Sequence, residues 1–128
     1  MNYYFAKTLG VSFDEAVERA RAALAQEGFG VLTEIDVKST LKKKLGVEFR
    51  PYKILGACHA ESAHRALEAE DKVGLMLPCN VVVQEHAPGE VEVSAIDPVA
   101  SMAAVDNPAL RAVAEGVRAK LLNVIDKL

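Results

Sequence analysis

The chain contains no tryptophan and only 5% aromatic residues, and it has no excess of positive charge, because its formal net charge at pH 7 is -3. A protein that binds nucleic acid ordinarily needs a basic surface for the phosphates or aromatic side chains on which bases stack. Two cysteines, Cys58 and Cys79, are too few for a disulfide framework. No apolar run reaches the length of about 18 residues that spans a bilayer. We therefore expect neither nucleic acid nor a membrane as a partner.

The N-terminal segment lacks the basic stretch followed by an apolar stretch that is typical of a signal peptide. We accordingly expect a soluble, cytoplasmic protein. The 128 residues, of which 51% are apolar and 26% charged, fit one globular domain over residues 1–128. A chain of this length buries enough surface to form a core without disulfides or a structural metal.

Helix boundaries are marked by local signals at several places. Ser12 and Glu15 have the spacing of a capping box, and the apolar residues that follow at helical spacing stop at Gly28. Asn107-Pro108 combines an N-cap residue with proline at the first helical position. Beyond it, apolar residues alternate between spacings of four and three, which predicts an amphipathic C-terminal helix of about five turns.

The segments between these helices alternate between strand and helix patterns. Helices are predicted at residues 39–45 and 61–70, the latter with Ala63, Ala66 and Leu67 on its inner face. Pro88-Gly89 suits the two central positions of a type II turn, which predicts a β-hairpin. Strands are predicted near residues 3–5, 29–37, 52–55, 80–86 and 91–96. The fold class is therefore α+β, in the order β-α-β-α-β-α-β-β-α, closed by the long C-terminal helix.

Several short segments resemble the domain-of-unknown-function 302 family. They are Ile54-Leu55-Gly56-Ala57-Cys58, Ala63-His64-Arg65-Ala66-Leu67, Gly74 to Val83 with its Leu-Pro-Cys-Asn-Val stretch, Ser94 to Pro98, and Asn107 to Leu110. The resemblance implies an antiparallel sheet gripped by a long C-terminal helix, similar to the TATA-binding-protein-like topology. It implies no DNA binding and no activity, because fold does not carry function. This chain has His59-Ala60 where the family often has asparagine and proline.

Cys58 and His59 are the first candidate site residues. Cys58 lies where a strand gives way to a helix, and backbone N–H groups at a helix N-terminus favour the thiolate. A protonated His59 would add positive charge beside it. The alternative is that Cys58 is a small apolar residue filling a turn, because free cysteine is often buried.

Cys79 and Asn80 are the second pair, next to Pro78 at the beginning of a strand. In one interpretation Cys79 faces a pocket, Asn80 supplies polar contacts, and Leu75, Leu77 and Val81 form an apolar lining. In the other, Pro78 and Asn80 only direct the chain into the hairpin.

The sequence contains no established metal or cofactor motif. His59 and His64 are five residues apart, so they do not share a helix face as a zinc-binding pair would. We expect no metal and no cofactor, although the two cysteines and a histidine could form a mixed site if the fold brought them together. Dinucleotide fingerprints, phosphate loops and a Gly-x-Ser-x-Gly elbow are also absent. No enzyme class follows from the sequence.

Three functional hypotheses remain. The first is a small-molecule binding or sensing domain without catalysis of its own, with a site at Cys58, His59, Cys79 and Asn80. The second is a thiol-dependent redox or metal-binding protein, which requires that the two cysteines meet at one end of the sheet. The third is a homodimeric structural or partner-binding module that uses a free edge of the hairpin at residues 80–96, or the C-terminal helix.

Overall fold

The computed structural model describes residues 2–128, and Met1, which the predicted domain includes, lies outside them. Within the described residues, five strands and five helices follow one another in the predicted order, with a short helix before the last one. The strands are β1 (Tyr4–Leu9), β2 (Gly30–Asp36), β3 (Tyr52–Cys58), β4 (Cys79–Ala87) and β5 (Glu90–Ile96). The helices are α1 (Phe13–Gln26), α2 (Val37–Leu45), α3 (Ala60–Ala69), α4 (Pro98–Ser101) and α5 (Pro108–Asp126).

The predicted helix starts are confirmed by their hydrogen bonds. Ser12 caps α1, because its Oγ accepts from the backbone N–H of Glu15 at 3.2 Å. Asn107 caps α5, because its Oδ1 accepts from the N–H groups of Ala109 and Leu110. Its amide nitrogen also donates to the carbonyl of Ala69 at 2.8 Å. The cap of the last helix thus ties the end of α3 to the start of α5.

The sheet is fully antiparallel, with strand order β1-β5-β4-β3-β2. The predicted α+β fold with an antiparallel sheet and a long C-terminal helix is confirmed. The prediction that the hairpin leaves a free edge is wrong: β5 pairs with β1 and β4 pairs with β3, so both strands are internal. The sheet edges are β1 and β2 instead.

One face of the sheet carries the main core. Helices α1 and α5 both pack on this face. The alternate residues of the central strands beneath them are almost completely buried, at Leu55, Ala57, Val81, Val83, Val91, Val93 and Ala95. Val117, Leu121 and Val124 of α5 are buried in this core. Leu110 and Ala114, nearer the start of α5, are buried in a second cluster with Ala66, Val73 and Met102. The C-terminal helix therefore packs both on the sheet and against α3 and α4.

Helix α3 differs in detail from its prediction. It begins at Ala60 with His59 as its N-cap, and its buried residues are Ser62 and Ala66. The prediction that Leu67 lies on the inner face is wrong, because this side chain is 44% exposed. Among residues 2–128, no helix combines the length and the apolar character needed to cross a membrane.

Candidate functional site

The end of β3 and the start of β4 bring the two cysteines to the same end of the sheet. Ala57 pairs directly with Cys79, so Cys58 lies one residue beyond that pair. The absence of a side chain at Gly56 allows these two strand ends to approach closely. A Cβ at this position would lie only 2.7 Å from Cγ of Pro78 and even closer to Oγ1 of Thr33. Both thiols are free. The sequence hypothesis that the cysteines lie at one end of the sheet is thus confirmed.

A small cavity lies between this end of the sheet and helices α3, α4 and α5. Its volume is about 30 Å³, which is room for about two water molecules. Cys58, His59, Ser62 and Cys79 contribute the polar and thiol groups of its wall. The rest of the wall is apolar, from Phe29, Ala57, Ala63, Ala66, Leu77, Pro78, Pro98, Met102, Val113, Ala114 and Val117. The cavity is therefore an almost wholly apolar space with a few polar groups at one side.

His59 is fixed in the cavity wall by its role as N-cap of α3. Its Nδ1 accepts from the backbone N–H of Ser62 at 3.4 Å and lies 2.8 Å from the Ser62 hydroxyl. Nδ1 therefore serves as the acceptor that caps the first turn of α3. The ring packs edge-on against Phe29, with 5.5 Å between the ring centroids.

Gly28 leaves the room that the imidazole ring occupies. A Cβ on Gly28 would lie 3.2 Å from Nε2 and Cδ2 of His59, and the backbone φ of +84° is one that glycine alone adopts easily. The end of α1 and the start of α3 are thus fitted to each other through the His59 ring. The imidazole ring of His59 is thus held between Gly28 and the cavity, whose wall it helps to form.

The two thiols have different surroundings. Cys79 is buried, and this burial, with a smaller effect of the neighbouring Cys58, raises its pKa to about 11. Cys79 is therefore a neutral thiol at physiological pH and a weak nucleophile. Cys58 is only partly buried, so it is the more accessible of the two. The wall therefore offers one accessible thiol, at Cys58, and one buried thiol of raised pKa, at Cys79.

Asn80 lies outside this cavity. As the neighbour of Cys79 on a strand, it projects from the opposite face of the sheet, where it is exposed. The predicted apolar lining is also partly wrong: Leu77 lines the cavity, but Leu75 is 86% exposed and Val81 is buried in the main core.

Sequence reasoning missed Ser62 and Met102 as wall residues. Ser62 follows His59 by three residues, which is the spacing of an N-cap contact, but histidine is not among the usual cap residues. Met102 follows α4 and reaches the cavity only because α4 packs against α5. No local sequence pattern predicts such a contact.

The mixed metal site is not formed. In the part of the chain from residue 2 to residue 128, no three His, Cys, Asp or Glu side chains lie close enough together to hold a metal ion. The two cysteines and His59 share a wall without converging on one point. Zinc and related ions need such convergence, with ligand atoms at about 2.0–2.3 Å from the metal.

The protein is an α+β protein with an antiparallel sheet, a long C-terminal helix packed on it, and a cavity lined by two thiols at one end of the sheet. Residues 5–128 match the family described as "Domain of unknown function DUF302". The chain also resembles the crystal structure of an uncharacterized conserved protein, DUF302, from Bacillus stearothermophilus. That similarity has a TM-score of 0.91 and 30% sequence identity, over 99% of this chain and 98% of the other. No curated protein matches. The chain belongs to the DUF302 family.

Proposed function

We propose that the protein is a small-molecule binding domain whose site is the cavity between α3, α5 and the adjoining ends of β3 and β4. The observation that carries the proposal is the composition of the wall. An apolar space with a few fixed polar groups is the usual character of a ligand site. Here the polar groups are the Cys58 thiol, the His59 imidazole and the Ser62 hydroxyl.

The size of the cavity limits the ligand. Sites for drug-sized molecules enclose roughly 300–1,000 Å³, far more than the 30 Å³ found between α3 and the sheet. The proposed ligand is therefore a short apolar molecule, or the short apolar end of a larger one whose remainder lies outside. A thiol-reactive carbonyl compound is one such ligand, with its carbonyl near the accessible Cys58.

Thermal denaturation with a panel of short aliphatic alcohols and aldehydes tests the proposal. A ligand present at about ten times its Kd stabilises the folded state by about 1.4 kcal/mol. For a domain of this size we expect the melting temperature to rise by about 4–8 °C.

A cavity-filling variant localises the effect. Ala63→Leu adds three carbon atoms at the cavity wall and should abolish the rise, whereas Ala119→Leu, on the exposed side of α5, should keep it. Both variants are compared with the parent chain without ligand, so a change in basal stability is separated from a change in binding. The proposal fails if no compound stabilises the parent chain, or if Ala63→Leu responds as strongly as Ala119→Leu.

A second candidate is a thiol-dependent function, and the observation in its favour is that both free thiols line one cavity. The raised pKa of Cys79 counts against a reactive role for this residue, so Cys58 would be the reacting group. Alkylation with iodoacetamide, followed by mass spectrometry at a series of pH values, measures each thiol separately. Rapid reaction of Cys58 near neutral pH would favour this function over simple binding. If neither thiol reacts until the protein unfolds, this second candidate is excluded.

A further inference from the structure

A surface groove lies next to the cavity, and the two spaces share part of their wall. Leu77 and Pro78 line both of them. At the start of β4, Cys79 lines the cavity and Asn80 lines the groove, because successive strand residues project from opposite faces of the sheet. The groove has a volume of about 270 Å³, and the rest of its wall is formed by Leu75, Met76, Ile96 and Ser101.

The end of α4 lies between the two spaces in the same way. Ser101 lines the groove, and the next residue, Met102, lines the cavity. Leu77 packs against the hydrophobic cluster that contains Met102. The boundary between cavity and groove therefore includes two flexible apolar side chains, and methionine in particular adapts its shape to irregular spaces. These side chains can turn aside without movement of the sheet.

The wall of the groove is uncharged and mostly apolar. Leu75 is 86% exposed there, although covering a leucine side chain is favourable. Asn80 and Ser101 add a neutral amide and a hydroxyl, each of which can donate and accept a hydrogen bond. In the described part of the chain, none of the residues that line the groove is ionisable. Two other surface pockets of similar volume do contain charged residues, such as Arg111 in one and Lys127 in the other.

The combined size of the two spaces suits a ligand larger than the cavity alone can hold. The cavity has room for an alkyl end of about two or three carbon atoms. Together with the groove, the space reaches about 300 Å³, the lower limit of sites that hold drug-sized molecules. A ligand that enters the cavity with its alkyl end would therefore find apolar surface and neutral hydrogen-bonding groups for the rest of its length.

We infer that the groove is the second half of the ligand site, and that the ligand is an uncharged amphiphile. Its short alkyl end occupies the cavity, its chain passes between Leu77 and Met102, and a hydroxyl or amide group binds Asn80 and Ser101. This inference rests on the proposed binding function and specifies the class of its ligand. The middle of the bound chain covers Leu75.

Methyl-detected NMR titration with straight-chain alcohols from propanol to hexanol tests the inference. In a continuous site each added CH₂ group is covered by protein, so we expect the Kd to fall about fourfold for each one. In a site limited to the cavity, the Kd would stop falling after propanol. Both alcohols should shift the methyl signal of Ala63 in the cavity, and hexanol alone should also shift those of Leu75 and Ile96 in the groove.

A charge placed in the groove separates its contribution from that of the cavity. Leu75→Asp should raise the Kd of hexanol at least about fourfold, the equivalent of one CH₂ group or more, and leave the Kd of propanol unchanged. Leu45→Asp makes the same change at another exposed leucine, on α2, and should leave both constants unchanged. Hexanoate, whose chain ends in a carboxylate, should bind the parent chain more weakly than hexanol, because the groove offers this charge no cationic side chain among residues 2–128.

The inference is overturned if hexanol binds no more tightly than propanol, or if the signals of Leu75 and Ile96 stay in place. It is also overturned if Leu75→Asp binds hexanol as tightly as Leu45→Asp does, or if hexanoate binds as tightly as hexanol. The proposed binding function stands in all these cases as long as propanol shifts the signal of Ala63. If no alcohol shifts that signal, the proposed function and this inference both fail.

Discussion

Replacing Gly56 by alanine tests the contact that holds the two cysteine-bearing strand ends together. The new Cβ would lie 2.7 Å from Cγ of Pro78, a distance that real Cβ atoms essentially never show, and closer still to Oγ1 of Thr33. The exposed Thr33 side chain can rotate away, but the ring of Pro78 is part of the backbone path into β4. The strand end must therefore move.

The expected cost follows from these two contacts. Overpacking a tight site costs about 1–3 kcal/mol, and the rigid proline puts Gly56→Ala at the upper end of this range. Alanine also reduces the conformational entropy of the unfolded chain, which stabilises the folded state by about 0.4–1 kcal/mol. We therefore expect Gly56→Ala to lower the free energy of unfolding by about 2 kcal/mol.

Urea denaturation followed by circular dichroism measures this change, because the chain has no tryptophan as a fluorescent probe. Gly116→Ala is the matched control, since a Cβ at this position in α5 meets no atom within 4 Å. It should raise stability by about 0.5–1 kcal/mol, because alanine favours the helix. The reasoning is refuted if Gly56→Ala is as stable as the parent chain. It is also refuted if Thr33→Ala restores full stability to Gly56→Ala, because Pro78 would then contribute nothing.

Two further predictions concern stability away from the cavity. Asn107→Ala removes the cap of α5 and its bond to the carbonyl of Ala69, and it should cost about 1–2 kcal/mol in urea denaturation. A change in the free energy of unfolding near zero would show that water molecules satisfy the first N–H groups of α5 in place of Asn107. Glu34 has a pKa below its ordinary value of 4.5, chiefly because Lys53 donates a hydrogen bond to it at 2.9 Å. Its stabilising effect is therefore present above that ordinary pKa and disappears as the pH falls. Glu34→Gln should show a smaller loss of stability between about pH 7 and about pH 3 than the parent chain, and an equal loss would contradict this assignment.

The parts of the fold that the sequence predicted well depend on local contacts. Ser12 and Asn107 mark helix starts through atoms two or three residues away, so their signals are contained in short segments. The pairing of β1 with β5 joins residues about 90 positions apart in the chain, and no local pattern encodes it. This long-range pairing is what places the hairpin in the centre of the sheet, where it has no free edge.

The candidate site was predicted in part for a related reason. Cys58 and Cys79 lie at the same end of the sheet because β3 and β4 are adjacent strands joined through α3. The order of these strands and the helix was predicted from the sequence. The sequence alone was enough to predict that the side chains of Asn80 and Cys79 lie on opposite faces of the sheet, because successive strand residues project from opposite faces. The wall contributed by Met102 depends on how α4 packs on α5, which only the folded chain shows.

The most direct measurement of the proposed binding function is a methyl-detected NMR titration with whichever compound of the panel stabilises the protein most. The account predicts that the methyl signals of Ala63, Val113 and Ala114, which line the cavity, shift together with one saturation curve. The signals of Leu45 and Val47, exposed on and after α2, should stay in place. Shifts confined to α2, or a titration in which the three cavity methyl signals do not move, would contradict the account.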